Sequence, residues 1–137
     1  MSEKKELSIL KKGHSNYPSS PGEAEIESFE NPSSGTSYTV EFSTGEFTSL
    51  CPITSQPDFG RIKITYSPDK RCIESKSLKL YLFSYRNHRG FAEKVVNRIL
   101  NDLAGACSPQ WMKVEGEFTP RGGLSIKVQA EYASERG

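Results

Sequence analysis

The segment Phe91-Ala-Glu-Lys-Val-Val-Asn-Arg-Ile-Leu-Asn-Asp-Leu103 decides the fold, because its apolar side chains recur at helical spacing. One face of the predicted helix is apolar and packs on the core, while the other carries charged and amide groups that face water. The apolar face comprises Phe91, Val95, Val96, Ile99, Leu100 and Leu103, and the polar face comprises Lys94, Arg98, Asn101 and Asp102. The sequence therefore predicts an amphipathic helix over residues 91–103.

A second helix is predicted just before it, over residues 74–87. Its apolar side chains Leu78, Tyr81, Leu82 and Tyr85 also recur at three- and four-residue intervals. The segment His88-Arg89-Gly90 separates the two helices, because glycine interrupts helical structure.

Two strands are predicted on each side of this helical pair. Residues 37–43 and 61–67 precede it, residues 111–118 and 124–132 follow it, and each segment alternates apolar and polar side chains. The Thr-Pro-Arg-Gly-Gly segment at residues 119–123 is predicted to be a turn. The predicted fold class is α+β, with the order strand, strand, helix, helix, strand, strand and an antiparallel sheet. Exposed edges of such a sheet favour pairing with further copies of the chain in a closed ring.

Composition limits the functions that remain open. The chain has 137 residues, 34% of them hydrophobic, so its core is modest and sharing a core between subunits would fit it well. A net charge of +1 gives no surface for general nucleic-acid binding. Three cysteines without a CxxC pair argue against a disulfide framework and against a zinc site. Without a secretory signal or a membrane-length apolar run, we expect a cytoplasmic protein with no membrane partner.

The domain organisation is predicted to be simple. Residues 1–32 hold lysine pairs, prolines, serines and glycines with few apolar side chains, which predicts a flexible N-terminal arm or a strap along a neighbouring subunit. Ile26 and Phe29 are its candidate anchors. Residues 33–137 are predicted to form one domain.

The segment Glu46-Phe-Thr-Ser-Leu-Cys51-Pro-Ile-Thr-Ser-Gln-Pro-Asp58-Phe59 carries the candidate chemistry. Pro52 and Pro57 restrict the backbone of a loop that would hold Cys51 and Asp58 in fixed positions. A thiolate is a nucleophile, and a carboxyl group can transfer protons. The residues alone also allow a purely structural interpretation, in which Cys51 is a small core residue and Asp58 caps a turn.

Four motifs resemble the 7-cyano-7-deazaguanine reductases, the NADPH-dependent nitrile reductases of queuosine biosynthesis. The resemblance spans residues 46–126 and implies the tunnelling fold, whose units assemble into ring-shaped barrels with active sites between subunits. By this resemblance we expect a homo-oligomer of two stacked pentamers. The motifs are Glu74-Ser-Lys-Ser-Leu-Lys-Leu-Tyr81, Phe47-Thr-Ser-Leu-Cys51-Pro with Gln56-Pro-Asp58-Phe59, Leu82-Phe-Ser-Tyr-Arg-Asn-His88, and Phe118-Thr-Pro-Arg-Gly-Gly123.

The resemblance also implies a reaction. Cys51 would add to the nitrile of 7-cyano-7-deazaguanine to form a covalent thioimide, and Asp58 would donate a proton to the nitrile nitrogen. NADPH would then deliver hydride twice, and the product would be the 7-aminomethyl base.

Recognition residues are implied in the same way. Glu93 matches the glutamate that anchors the guanine-like edge of the base, and the substrate site would also include Ile73, Glu74, Ser75 and Ala92. We expect Lys76, Lys79 and Arg121 near the NADPH phosphates, because phosphates attract cations. From the residues alone, Glu93 is better explained as a first-turn glutamate favoured by the helix dipole, and the three cations are equally well explained as solvated charges.

One position departs from the family pattern. The family has Phe-His-Glu where this chain has Phe91-Ala92-Glu93, and alanine can neither donate a hydrogen bond nor shuttle a proton. Natural divergence and a deliberate substitution both explain the change. We expect it to impair turnover more than nucleophilic addition. Cys72 and Cys107 match no motif and are predicted to be structural thiols.

Two rival functions stay open at this point. Related tunnelling-fold amidinotransferases act on the same nitrile in transfer RNA, but lack the Glu-Ser-Lys-Ser-Leu-Lys run. The other rival is a non-catalytic ring that binds a purine-like ligand.

Overall fold

A computed structural model describes residues 17–135, which form a four-stranded antiparallel sheet, a small two-stranded sheet and two α-helices. The large sheet has the spatial order β2-β3-β5-β6, and the small sheet pairs β1 with β4. In chain order the elements are β1 (Ser28–Glu30), β2 (Val40–Leu50), β3 (Pro57–Ser67), β4 (Arg71–Ile73), α1 (Ser75–Phe83), α2 (Ala92–Cys107), β5 (Trp111–Arg121) and β6 (Leu124–Ala133), with 3₁₀ turns at Pro21–Glu23 and Ser84–Asn87.

The predicted α+β order is confirmed, with four strands and two helices in the expected sequence. The predicted turn at residues 119–123 is shorter than expected, because β5 continues to Arg121 and β6 begins at Leu124. Only Gly122 and Gly123 connect the two strands, and both have positive φ. Strand β2 was predicted to end at residue 43 but continues to Leu50. A bulge between Thr44 and Phe47 explains the error, because it interrupts the alternation that marks a strand.

The core lies between the helices and one face of the large sheet. Ile62, Ile64 and Tyr66 of β3 are buried there, as their alternation predicted. The predicted faces of α2 need two corrections. Phe91 is 57% exposed, because it lies before the first turn of the helix. Asp102 is partly buried and accepts a hydrogen bond of 2.6 Å from the hydroxyl of Tyr81.

Both neighbours of β3 carry one extra residue. In β2 the register shifts between Thr44 and Phe47, and in β5 it shifts between Phe118 and Arg121. Because side chains alternate between the two faces of a strand, one extra residue moves every later side chain to the opposite face. These two bulges therefore decide which side chains reach the end of the sheet where the candidate chemistry lies.

The first 16 residues of the predicted arm lie outside the described residues. Within its remainder, β1 pairs with β4, so that Phe29 lies opposite Cys72, and Ile26 packs against the core. Both candidate anchors therefore contact the domain, while the boundary at residues 32 and 33 stays a prediction.

Candidate active site

Cys51 begins a tight loop that joins β2 to β3. Leu50 and Pro57 pair across the hairpin, and the N–H of Cys51 donates a 2.9 Å hydrogen bond to the carbonyl of Gln56. The N–H of Ser55 donates to the carbonyl of Cys51, also at 2.9 Å. Asp58 was expected in this loop but is the second residue of β3, because the hairpin closes at Pro57. A strand holds the carboxylate more rigidly than a loop would.

The surroundings of Cys51 favour its thiolate. The pKa of this partly exposed thiol is lowered, mainly by a hydrogen bond with the Thr54 side chain and then by the backbone N–H groups of Thr54 and Ile53. Burial and the negative charge of Asp58 oppose this effect. Thr54 was not predicted, although its position three residues after Cys51 in a proline-bounded loop was a usable signal.

The other two cysteines lie in different surroundings. Cys72 and Cys107 are both buried, and burial raises the pKa of Cys107 to about 12. Among the described residues, Cys51 is the one cysteine that is partly exposed.

Backbone hydrogen bonds tie the Cys51 loop to the start of α2. The N–H of Leu50 donates to the carbonyl of His88 at 2.9 Å, and the N–H of Gly90 donates to the carbonyl of Leu50 at 3.1 Å. Cys51 therefore lies beside the segment that leads into Ala92 and Glu93. Ala92 packs partly against the core, whereas Glu93 is exposed in the first turn of α2.

The side chain of His88, in the same segment, is packed against an aromatic ring. Its ring packs edge-on against Tyr85 at a centroid distance of 5.3 Å. Burial lowers its pKa, and the charges of Arg98 and Lys94 lower it further. These contacts favour a neutral, packed imidazole.

The second predicted substrate stretch lies at the opposite end of β3. The N–H of Ile73 donates to the hydroxyl of Tyr66 at 2.9 Å, while Asp58 lies eight residues earlier on the same strand. At roughly 3.3 Å per strand residue, these two ends are about 26 Å apart. One protomer therefore does not bring Ile73, Glu74 and Ser75 together with Cys51.

Glu74 has a structural function that the sequence did not predict. Its buried carboxylate accepts hydrogen bonds from the N–H groups of Lys76 at 2.8 Å and Ser77 at 2.7 Å, so it caps the N-terminus of α1. The signal was present, because an acidic residue directly before a helix is a standard cap.

A cavity of about 450 Å³ lies between β2 and α1. Ser75 and Lys79 line it, together with Arg86, which was not predicted. Its wall also contains the aromatic and aliphatic side chains Phe42, Phe47, Leu78, Leu82 and Phe83. The acidic side chain of Glu46 lines it as well, so its charged groups are of both signs. Its size and its mixture of apolar and charged groups suit a small-molecule ligand.

Arg121 lies at the Cys51 end of the sheet, away from this cavity lining. Its Nη2 is 2.9 Å from Oδ1 of Asp58 and also donates to the carbonyl of Pro57, while Nη1 is 3.5 Å from Oε1 of Gln56. Contact between Arg121 and the Cys51 loop was not predicted, because the two segments are about 65 residues apart in sequence.

The profile of the family described as QueF-like protein matches residues 57–137. The chain belongs to the QueF-like protein family. Two similar proteins carry the name NADPH-dependent 7-cyano-7-deazaguanine reductase. That of Streptococcus mutans serotype c is 48% identical over 93% of this chain and 79% of its own length. That of Bacteroides fragilis (strain YCH46) is 49% identical over 94% of this chain and 85% of its own length. The family predicted from the four motifs is confirmed.

A solved structure confirms the fold. The archaeosine synthase QueF-Like in the apo form aligns with a TM-score of 0.66, covering 70% of this chain and 94% of that chain at 24% identity. This similarity establishes the tunnelling-fold architecture of the QueF-like unit. In residues 17–135, no helix is long and apolar enough to cross a membrane.

Proposed function

We propose that this chain is an NADPH-dependent reductase that converts the nitrile of 7-cyano-7-deazaguanine to an aminomethyl group through a covalent bond to Cys51. The relatives that match over nearly the whole chain carry the name of this activity. The observation that carries the proposal is a partly exposed cysteine of lowered pKa at the start of a tight hairpin loop, which closes at Pro57, directly before Asp58.

The covalent step adds the thiol across the carbon–nitrogen triple bond. The sulfur of Cys51 forms a bond to the nitrile carbon, and one carbon–nitrogen bond opens to give a thioimide. The proton that leaves sulfur is matched by a proton that arrives at nitrogen, and Asp58 is the group that passes it on. Glu93 accepts hydrogen bonds from the donor edge of the base, with Ala92 beside it.

The residues near α1 fit NADPH. Lys79 lines the cavity, and Lys76 lies one turn earlier on the same helix. Two ammonium groups on one helix suit the phosphates of the cofactor, and the apolar wall suits its rings. Bound there, NADPH supplies the hydride equivalents that reduce the carbon–nitrogen bond.

The active site is proposed to lie between subunits. The Cys51 end of β3 and the Ile73-Glu74-Ser75 end are too far apart for one small substrate to contact both in one protomer. Strands β2 and β6 form the two edges of the large sheet, and edge pairing between copies closes a ring. A neighbouring protomer would then supply the second stretch, in the two stacked pentamers expected from the family.

An amidinotransferase is the second candidate, because the solved structural neighbour is named an archaeosine synthase. The segment from Glu74 to Lys79 and the higher identity to the reductases favour reduction. Nucleic acid is not a proposed partner, since the chain has a net charge of only +1.

Two measurements test the function. Intact-mass spectrometry after mixing with 7-cyano-7-deazaguanine should show one adduct per chain, absent from Cys51→Ala. Following NADPH absorbance should show oxidation that depends on the nitrile. An adduct that persists in Cys51→Ala would contradict the nucleophile, and an adduct without NADPH oxidation, even after Ala92→His, would favour the amidinotransferase.

A further inference from the structure

The contacts of Arg121 concern the residues that perform the covalent step. Its guanidinium meets three acceptors of the segment from Gln56 to Asp58: an amide oxygen, a backbone carbonyl and a carboxylate. A guanidinium has a fixed planar array of donors, so several acceptors held at once become fixed relative to one another. An isolated surface ion pair contributes little to stability, but this multiple contact defines a geometry.

The β5 bulge is what brings Arg121 to Asp58. Phe118 pairs with Ile126, and Arg121 pairs with Leu124. Ile126 and Leu124 are two residues apart and share a face, so Arg121 shares the face of Phe118 although it follows by three residues. Phe118 is in turn paired with Gly60, which is two residues from Asp58 and therefore on the same face of β3. Without the extra residue, Arg121 would point to the other side of the sheet.

The turn after Arg121 supports this placement. Gly122 and Gly123 have φ of 58° and 79°, so the chain reverses immediately, and the position of Arg121 is fixed by its pairing with Leu124. Sheet pairing therefore fixes the backbone of Arg121, and the contacts with Gln56, Pro57 and Asp58 hold its guanidinium.

We propose that Arg121 is a positioning residue for Asp58 in the covalent step. This inference rests on the proposed function. Arg121 orients the carboxylate that passes the proton to the nitrile nitrogen, and it holds the end of the Cys51 loop through Gln56 and Pro57. The cofactor phosphates are left to Lys76 and Lys79. The two roles of Arg121 can be separated by measurement, because the covalent step precedes any use of NADPH. A contact with the NADPH phosphates would leave the covalent step unchanged, whereas positioning of Asp58 affects it.

The test measures adduct formation without NADPH. Arg121→Gln should slow formation of the Cys51 adduct on the order of tenfold to a hundredfold, because small displacements of reacting groups carry penalties of this size. Arg121→Lys should recover only part of the rate, since lysine keeps the charge but not the planar fork. Lys127→Gln is the matched control. Lys127 pairs with Glu115 at 3.5 Å on the neighbouring strand, and its loss should leave the rate unchanged.

Two further readouts separate positioning from general damage. Alkylation of Cys51 by iodoacetamide involves no proton transfer to a nitrile nitrogen. In Arg121→Gln, the rate of this alkylation should therefore stay close to that of the unmodified chain. In an Asp58→Asn background, adding Arg121→Gln should cause little further decrease in the rate of adduct formation, because both changes act on the same pair of side chains.

The outcomes are distinct. Normal adduct formation by Arg121→Gln with weakened NADPH binding to the apo protein would overturn the inference and assign Arg121 to the cofactor. Additive losses in the double variant would also overturn it. Absence of an adduct in the unmodified chain would instead remove the proposed function itself.

Discussion

Leu50 accepts a 3.1 Å hydrogen bond from the backbone N–H of Gly90, and this bond joins the residue before Cys51 to the segment before Ala92. The nucleophile loop and the start of α2 are therefore one structural unit. Position 92 is two residues beyond Gly90, so we expect a side chain there to lie near Cys51 and to affect a substrate bound to it.

Replacing Ala92 with histidine should restore turnover. If the family histidine assists placement or proton delivery, NADPH oxidation by Ala92→His should exceed that of the present chain by about a hundredfold to ten-thousandfold. Adduct formation should change much less. Ala92→Leu is the control for side-chain size and should give no gain. Rapid turnover with Ala92 in place, or no effect of histidine, would show that this group is dispensable here.

The reactivity of Cys51 should follow its hydrogen bonds. Thr54→Val removes the side-chain contact that lowers the pKa most, so the pKa should rise and iodoacetamide alkylation near neutral pH should slow. Asp58→Asn removes a charge that raises this pKa, so the pKa should fall. The pH profile of alkylation, followed by peptide mass spectrometry, measures both shifts. A shift in the opposite direction in either variant would contradict the structure, and buried Cys107 is the internal control.

The active site should require two protomers. Cys51→Ala and Ser75→Ala, each in an Ala92→His background, are co-expressed under two affinity tags. In the mixed assemblies, some sites should combine an intact Cys51 from one protomer with an intact Ser75 from its neighbour. Purified mixed assemblies should therefore oxidise NADPH faster than either parent assembly. Activity no higher than that of the parents, or a monomeric mass by light scattering, would contradict a site shared between subunits.

Glu74 and Glu93 should contribute differently to the stability of the fold. Glu74→Ala removes two capping hydrogen bonds and should lower the free energy of unfolding by about 1 kcal/mol. Glu93→Ala should have a smaller effect on urea unfolding, because α2 has no side-chain cap and Glu93 is exposed. In a Cys51→Ala background, calorimetry should show that Glu93→Ala weakens binding of the nitrile base. Unchanged binding would remove Glu93 from the proposed site.

The packing of α2 on the sheet should be sensitive at Gly116. A Cβ there would lie 2.6 Å from a methyl group of Val96, so Gly116→Ala should reduce stability by about 1 to 3 kcal/mol. Gly105 lies on α2 with open space around it, and Gly105→Ala should stabilise the helix by about 0.5 to 1 kcal/mol. Denaturant unfolding of the two variants compares them directly, and equal effects would contradict this packing.

Sequence patterns were sufficient for the order of the main elements, because periodicity records which side of each element is buried. They were insufficient where the period breaks. The β2 bulge hid the extension of that strand to Leu50. The two short strands β1 and β4 were also missed, since three residues are too few to show alternation.

The candidate site divides in the same way. Cys51 and Asp58 were predicted from a short segment, because a thiol and a carboxyl group in a proline-bounded loop can be recognised along the chain. Their roles followed from the resemblance to the family, since the loop alone also allowed a core cysteine and a turn-capping aspartate. The capping by Glu74 is also local, although it was overlooked.

By itself, the sequence determined the α+β order, the family and the candidate nucleophile, since these depend on residue types and on spacing within single segments. Only the tertiary structure decided that Arg121 contacts Asp58, that the Cys51 loop is bonded to the segment before Ala92, and that Ile73 lies at the far end of β3. The physical reason is register. One extra residue in β5 reverses which face Arg121 occupies, and pairing between distant strands sets which residues meet.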